Sequence, residues 1–209
     1  MRSGLPIQSD QGGGVMVDVY LVGVGGQGII TASKIIGDAA ILSGKKVLLS
    51  ETHGMAQRGG SVVCTARIGD ASSALIPDGG ADVIVSFELL ETLRALSKAS
   101  RKTVVITSTE RIVPLSVSTH RLHYPTIQEV SVEVSKVAGR FIQLDAPRLA
   151  DESSVSKSAN IVMVGALAGT GVTGIERRHF EKAIEMNVSR WLPENLEAFA
   201  KGFQVAQGT

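Results

Sequence analysis

Two stretches of this 209-residue chain hold residue types whose spacing suits chemistry. The first is Gly23-Val24-Gly25-Gly26-Gln27-Gly28, a Gly-x-Gly-x-x-Gly run that links a branched aliphatic segment to one of helical periodicity. Such a turn lets backbone amides approach an anion, brings a helix close to a strand, and adds the partial positive charge of the helix N-terminus. The expectation is a phosphate or other anion held at Gly23, Gly25, Gly26, Gln27 and Gly28; compact packing of helix on strand is the other use of the same glycines. The second stretch is Ser50 to Val62, SETHGMAQRGGSV, which sets His53, Gln57 and Arg58 between Gly54 and Gly59-Gly60. Arg offers a rigid fork for carboxylate or phosphate, Gln a neutral donor and acceptor, and His a group that titrates near neutrality. These three are the candidate catalytic residues, and Arg58 is also a candidate anion ligand; bracing of a turn by Arg58 and the two glycines is the alternative.

The elements that must position these residues follow from hydrophobic periodicity. Residues 18–24 (DVYLVGV) form a short buried strand, and Ile29, Ala32, Ile36 and Ala39 mark one stripe of a helix over 27–42 that Gly44 terminates. Strands are expected at 46–51, 61–68, 82–87 and 103–107, with a polar, glycine-rich loop at 52–60 and a helix at 88–98 whose stripe is Leu89, Leu93 and Leu96. The 61–68 segment alternates only in part, as a strand in a mixed sheet or at a sheet edge would. Residues 126–137 fit both periods and are assigned as helix because a strand-like 141–145 follows directly. Small apolar residues at 160–168, then Phe180, Ala183 and Ile184, then Leu196, Phe199 and Phe203, mark further helices. Alternating strands and helices define a three-layer α/β/α, Rossmann-like fold with a mostly parallel, mixed sheet. It is expected to span 16–209 as a single domain, after a flexible tail at 1–15. In such a sheet the loop after the second strand leaves at the same carboxyl edge as the glycine turn, so the two stretches would share one crevice.

Composition narrows the function. Lys plus Arg number 21 against 20 Asp plus Glu, which leaves no basic footprint for nucleic acid. The longest apolar run, 161–169, is about half of the ~18 residues that a membrane span requires. A lone cysteine, Cys64, supports neither an internal disulfide nor an iron–sulfur cluster, and His53, His120, His123 and His179 are not spaced as a metal set. No metal site is expected. The lone thiol and the lack of an export signal suit a cytoplasmic protein. Glu51 lies 23 residues after Gly28, where a nicotinamide enzyme would place its ribose carboxylate, so an NAD-dependent dehydrogenase is one reading of the glycine turn. Asn160, opening the small-residue helix, is expected as its cap rather than as a group reaching the crevice.

With both motifs in hand, the chain resembles the gamma-type subunits of 2-oxoacid:ferredoxin oxidoreductases, and within them the indolepyruvate branch. The resemblance rests on residues 22–70, which include VGVGGQGIITASK and HGMAQRGG, and recurs at Ala81-Asp82, at Asn160 to Leu167 and at Asn195 to Phe199. HGMAQRGG is the discriminating piece, since pyruvate-type relatives keep the GGQG turn with a different loop. The family implies oxidative decarboxylation of an arylpyruvate, electrons leaving singly through clusters to ferredoxin and the acyl group passing to coenzyme A. It further implies a division of labour. Thiamine diphosphate and the [4Fe-4S] clusters belong to an alpha subunit, which is the expected partner, and the present chain completes a hetero-oligomer and is inactive alone. On that reading the glycine turn and Arg58 meet a phosphate of coenzyme A or of the partner's thiamine diphosphate. A catalytically inert scaffold that only holds the alpha subunit is the remaining alternative.

Overall fold

Alternation of buried side chains explains the sheet. In Val17–Val24 (β1), Val17, Val19 and Leu21 enter one apolar core while Val22 enters a second on the opposite face, the period of two expected of a strand covered on both sides. The computed structural model describes residues 16–53, 60–112, 123–154 and 157–208, with His53 given by its backbone. Val47–His53 (β2) and Ser61–Ile68 (β3) follow β1, and Val83–Ser86 (β4), Val104–Ser108 (β5) and Arg140–Leu144 (β6) complete a six-stranded sheet ordered β2-β3-β1-β4-β5-β6. In β4 and β5, Val83, Val85, Val104 and Ile106 face the first core, and Ile84 and Val105 the second. β1, β4, β5 and β6 run parallel, and β3 is antiparallel to both of its neighbours. The α/β class and the mixed, mostly parallel sheet are as expected from periodicity.

The placement of β3 corrects one option. It is an interior strand, and the edge belongs to β2. Its partial alternation reflects two unequal faces: Val62, Cys64, Ala66 and Ile68 are buried in the first core, while Val63 and Arg67 opposite them are half-covered. Two antiparallel steps restore direction, so β2 runs the same way as β1 although the two are not adjacent. Both therefore finish at one edge of the sheet, with His53 paired to Val62 and Val24 paired to Ser61.

Ile29–Leu42 (α1) covers one face of the sheet, and Leu89–Ala95 (α2) and Ile127–Val137 (α3) cover the other. Ala146–Asp151 (α4), Ala159–Gly169 (α5), Arg177–Asn187 (α6) and Leu192–Gln207 (α7) close the α1 side. The expected helix at 88–98 is shorter, ending at Ala95 and continuing as a 3₁₀ turn over Leu96–Lys98. α3 settles the ambiguous segment by local chemistry: Thr126 and Glu129 form a reciprocal capping box that satisfies the first amides of a helix, which no strand could use. The α5–α7 contact depends on missing side chains. A Cβ on Gly165 would lie 2.0 Å from the Phe199 carbonyl oxygen, and one on Gly202 would lie 1.9 Å from that of Val162, so the two backbones touch directly. Phe180 stacks on Phe199 beside that seam, with ring centroids 6.2 Å apart. Among the described residues no helix is long and apolar enough to cross a membrane. The tail expected at 1–15 lies outside the described residues.

Candidate functional site

The site grows from the carboxyl end of β1. Gly23 leaves room for one side chain: a Cβ there would sit 2.7 Å from Oε1 of Gln27 and 2.8 Å from Cβ of Phe87. Gln27 uses that room to fold back over the strand ends. Its Oε1 accepts the Val24 N–H at 2.7 Å, and its Nε2 donates to the Phe87 carbonyl at 2.8 Å and to Oε2 of Glu110 at 2.9 Å. One amide side chain thus ties β1 to the residue that follows β4 and to the segment leaving β5. Gly26 and Gly28 take the left-handed region, with φ of 107° and 76°, where any side chain costs strain. Gly28 is also the N-terminal cap of α1, and its carbonyl accepts the amide of Ala32 at 3.0 Å.

This geometry sorts the expected anion ligands. The Gly25 N–H donates to the Gly60 carbonyl at 2.9 Å and the Gln27 N–H to the Val24 carbonyl at 3.2 Å, so both are spent on holding the turn. Gly23 serves by its lack of a side chain. The amides of Gly26 and Gly28 have no backbone acceptor among the described residues and stand at the N-terminus of α1, the position that favours negative charge. Of the five residues expected to meet an anion, Gly23, Gly25 and Gln27 build the turn, and the amides of Gly26 and Gly28 are the ones left out of that frame's backbone bonds among the described residues.

The turn opens into a cleft of about 620 Å³. Gly25, Gly26, Gln27 and Gly28 form one wall, and Phe87, Ile112, Ala146, Ala159 and Met163 give it apolar surface. Ser108, Glu110 and Lys157 are its polar side chains. The cleft lies where the strand order reverses, between β1 and β4 and beyond their carboxyl ends, where open α/β sheets take ligands. Periodicity alone did not single out Ser108, Glu110 or Lys157. Ser108 is the last residue of β5 and Glu110 follows it, so a rule of searching the carboxyl end of every parallel strand would have found both; Lys157 is brought in only by the packing of α5.

The second stretch meets the first at the backbone level. β2 ends at His53 and β3 is entered through Gly60, whose carbonyl holds Gly25. Gln57 and Arg58 lie outside the described residues, and of His53 only its place as the last residue of β2 is described.

Two expectations are corrected. Asn160 lies inside α5 after the cap residue Ser158. Its Nδ2 donates to the Gly28 carbonyl at 3.3 Å and its Oδ1 accepts the Ile161 N–H at 3.0 Å. It reaches the crevice as a brace of the turn, because a Cβ on Gly28 would come within 2.7 Å of that Nδ2. Glu51 does not sit where a ribose would lie beside the glycine turn: β3 is interposed between β2 and β1, and Glu51 is exposed on the edge strand opposite Cys64. The nicotinamide reading loses its carboxylate for that topological reason. Cys64 is buried in β3, and burial, with Glu51 nearby, pushes its thiol up to about 11. His123 pairs with Glu129 at 2.9 Å on the surface, and among the described residues no group of three or more His, Cys, Asp or Glu could hold a metal ion.

An α/β fold with a glycine-turn cleft at the switch point of a mixed sheet is the class that fold and site define. The chain belongs to the pyruvate ferredoxin/flavodoxin oxidoreductase family, whose model matches residues 18–205. It is 41% identical to the indolepyruvate oxidoreductase subunit IorB of Archaeoglobus fulgidus over 91% of this chain and 95% of that protein. Identity to the IorB subunit of Methanothermobacter thermautotrophicus is 40%, over 90% and 97%. The common gamma subunit of pyruvate/ketoisovalerate oxidoreductases from Thermococcus litoralis is more distant, at 28% over 90% and 96%. Among solved structures, the fold matches the gamma subunit of a keto/oxoacid ferredoxin oxidoreductase from Geobacter sulfurreducens with a TM-score of 0.68 and 22% identity, covering 92% of this chain and 99% of that one. It also matches 31% of a chain of 2-oxoglutarate:ferredoxin oxidoreductase from Magnetococcus marinus, with 93% of this chain covered, a TM-score of 0.72 and 20% identity.

Proposed function

We propose that the chain is the non-thiamine subunit of an indolepyruvate (arylpyruvate):ferredoxin oxidoreductase, working in the cytoplasm with an alpha-type subunit that passes electrons to ferredoxin. The observation that carries this is the contrast in likeness along nearly the whole chain: 36–41% identity to four indolepyruvate subunits against 27–28% to pyruvate/ketoisovalerate gamma subunits. The chemistry of its own side chains agrees with a division of labour. One buried cysteine cannot ligate a cluster, which wants about four thiolates. Thiamine diphosphate and the [4Fe-4S] clusters are therefore assigned to the partner, which supplies the decarboxylation and electron transfer when loaded.

This chain's part is to receive an anion. The Gly26 and Gly28 amides, the N-terminus of α1 and Lys157 offer positive potential in the cleft, beside a Glu110 carboxylate that is tied to Gln27, and Arg58, Gln57 and His53 belong to the stretch whose Gly60 holds the cleft residue Gly25. A phosphate of coenzyme A suits these donors, and a solved structural relative carries coenzyme A and succinyl-CoA. A phosphate of the partner's thiamine diphosphate is the other ligand with the same chemistry. A charge-assisted hydrogen bond contributes about 1.5–3 kcal/mol, so Arg58→Ala should raise KM for coenzyme A by about tens of fold in the assembled complex. The measurement is viologen reduction by that complex with indolepyruvate and pyruvate compared side by side and coenzyme A varied. Preference for pyruvate would refute the substrate assignment, and unchanged kinetics in Arg58→Ala would remove that residue from the site. Arg58→Ala complexes that fail to assemble, while turnover per assembled complex is normal, would favour the scaffold reading.

A further inference from the structure

Behind the cleft lie two carboxylates that the proposed function leaves unused. Glu88 is 1% exposed and Glu91 is 2% exposed, on the first turn of α2 immediately after the cleft residue Phe87. Full burial of a carboxylate is costly unless every oxygen is engaged, so the partners show what the burial achieves. Oε2 of Glu88 accepts the Glu91 N–H at 3.0 Å, and its Oε1 accepts the N–H of Ile112 at 3.3 Å. Ile112 is a wall of the cleft. Oε2 of Glu91 accepts the Ser61 hydroxyl at 2.6 Å, and its other oxygen pairs with Arg94. Ser61 pairs in register with Val24, and its neighbour Gly60 holds the Gly25 N–H.

Each carboxylate therefore leads to a different part of the cleft, Glu91 to the glycine turn and Glu88 to the wall at Ile112. Only the Glu88–Glu91 amide bond is a helix cap; the bonds to Ser61 and Ile112 cross 30 and 24 residues of sequence to reach the cleft. We propose that Glu88 and Glu91 are the positioning residues of the cleft. Glu91 fixes Gly25 through Ser61 and Gly60, and Glu88 fixes the opposite wall through Ile112. The proposal rests on the reading that the cleft receives an anionic co-substrate, because positioning matters only if the turn amides have something to meet. Neither residue touches the ligand. Their effect is on where the Gly26 and Gly28 amides stand relative to it.

The test uses the assembled complex with four variants, Ser61→Ala, Ser61→Thr, Glu88→Gln and Lys157→Ala. Removing one hydrogen bond to a charged group should raise KM for coenzyme A about tenfold in Ser61→Ala and Glu88→Gln. kcat should stay within about twofold because no group at the reacting atoms is altered. Ser61→Thr keeps the hydroxyl and should keep the wild-type KM. Amide hydrogen exchange should quicken at residues 25–28 in Ser61→Ala and at Ile112 in Glu88→Gln, a readout independent of turnover. A lower melting temperature with unchanged KM and unchanged local exchange would make the pair merely structural and overturn the proposal. If Lys157→Ala raises KM while Ser61→Ala and Glu88→Gln do not, the positioning role fails and the cleft assignment survives. If none of these variants nor Arg58→Ala changes KM, the cleft assignment fails and the positioning role falls with it.

Discussion

At the scale of single residues, the turn shows how side chains replace a bound group as the organiser of a backbone. Gln27 fills the space vacated by Gly23 and joins three strand ends, while Asn160 reaches from α5 to hold the Gly28 carbonyl. The amides left over are then fixed in direction before any ligand arrives, which lowers the ordering cost of binding. Gly28→Ala tests this. A non-glycine residue at φ 76° carries a strain of about 1–2 kcal/mol, and the new Cβ must displace the Asn160 amide. The expected outcome is a chain that folds with an unfolding free energy, taken from urea titration, lowered by about that amount, and that binds coenzyme A more weakly in the assembled complex. Asn160→Ala in the same background should recover part of the stability, since the obstructing amide is gone; a double-mutant comparison of urea midpoints checks the coupling.

At the scale of elements, two kinds of contact determine what can move. The sheet is fastened by ordinary alternation, with each central strand feeding both cores. The α5–α7 pair is fastened by absence, since Gly165, Gly169 and Gly202 let one helix backbone lie against the other. α5 carries Asn160 and is preceded by Lys157, so its seat on α7 sets the far wall of the cleft. Gly202→Ala puts a methyl within 1.9 Å of the Val162 carbonyl oxygen, an overlap that only a shift of the helices can relieve. Overpacking of this kind costs about 1–3 kcal/mol. The expected result is a lower melting temperature together with weaker anion binding. A variant that melts lower yet binds normally would show that the cleft does not depend on the α5 seat.

At the scale of the whole molecule, the chain is a member of the pyruvate ferredoxin/flavodoxin oxidoreductase family, and on the proposed reading it completes a reaction centre whose cofactors the partner holds. Its cleft has turn amides and a lysine but, among the described residues, no pair of groups arranged as nucleophile and base, and its one thiol is buried with its ionisation pushed up. The purified chain by itself should therefore give no viologen reduction with indolepyruvate and coenzyme A, and coexpression with the alpha-type subunit should restore it. The measurement is the assay of both preparations at equal molar concentration; turnover by the isolated chain would place catalytic machinery here that the geometry does not show.

What could be read from residues alone was whatever is encoded locally. Periods of two and 3.6 located the strands and most helices, and the glycine spacing announced a strand-to-helix turn beside a cleft. The tertiary structure decided what depends on which elements become neighbours. It placed β3 between β2 and β1 and so moved Glu51 away from the turn, it spent the amides of Gly25 and Gln27 on the frame, and it brought Asn160, Lys157 and Glu110 to the same edge. These facts could not be read ahead because spacing along a chain reports the conformation of a few adjacent residues. Partners 30 to 132 positions apart, such as Ser61 with Glu91 and Gly28 with Asn160, are chosen by packing across the two cores.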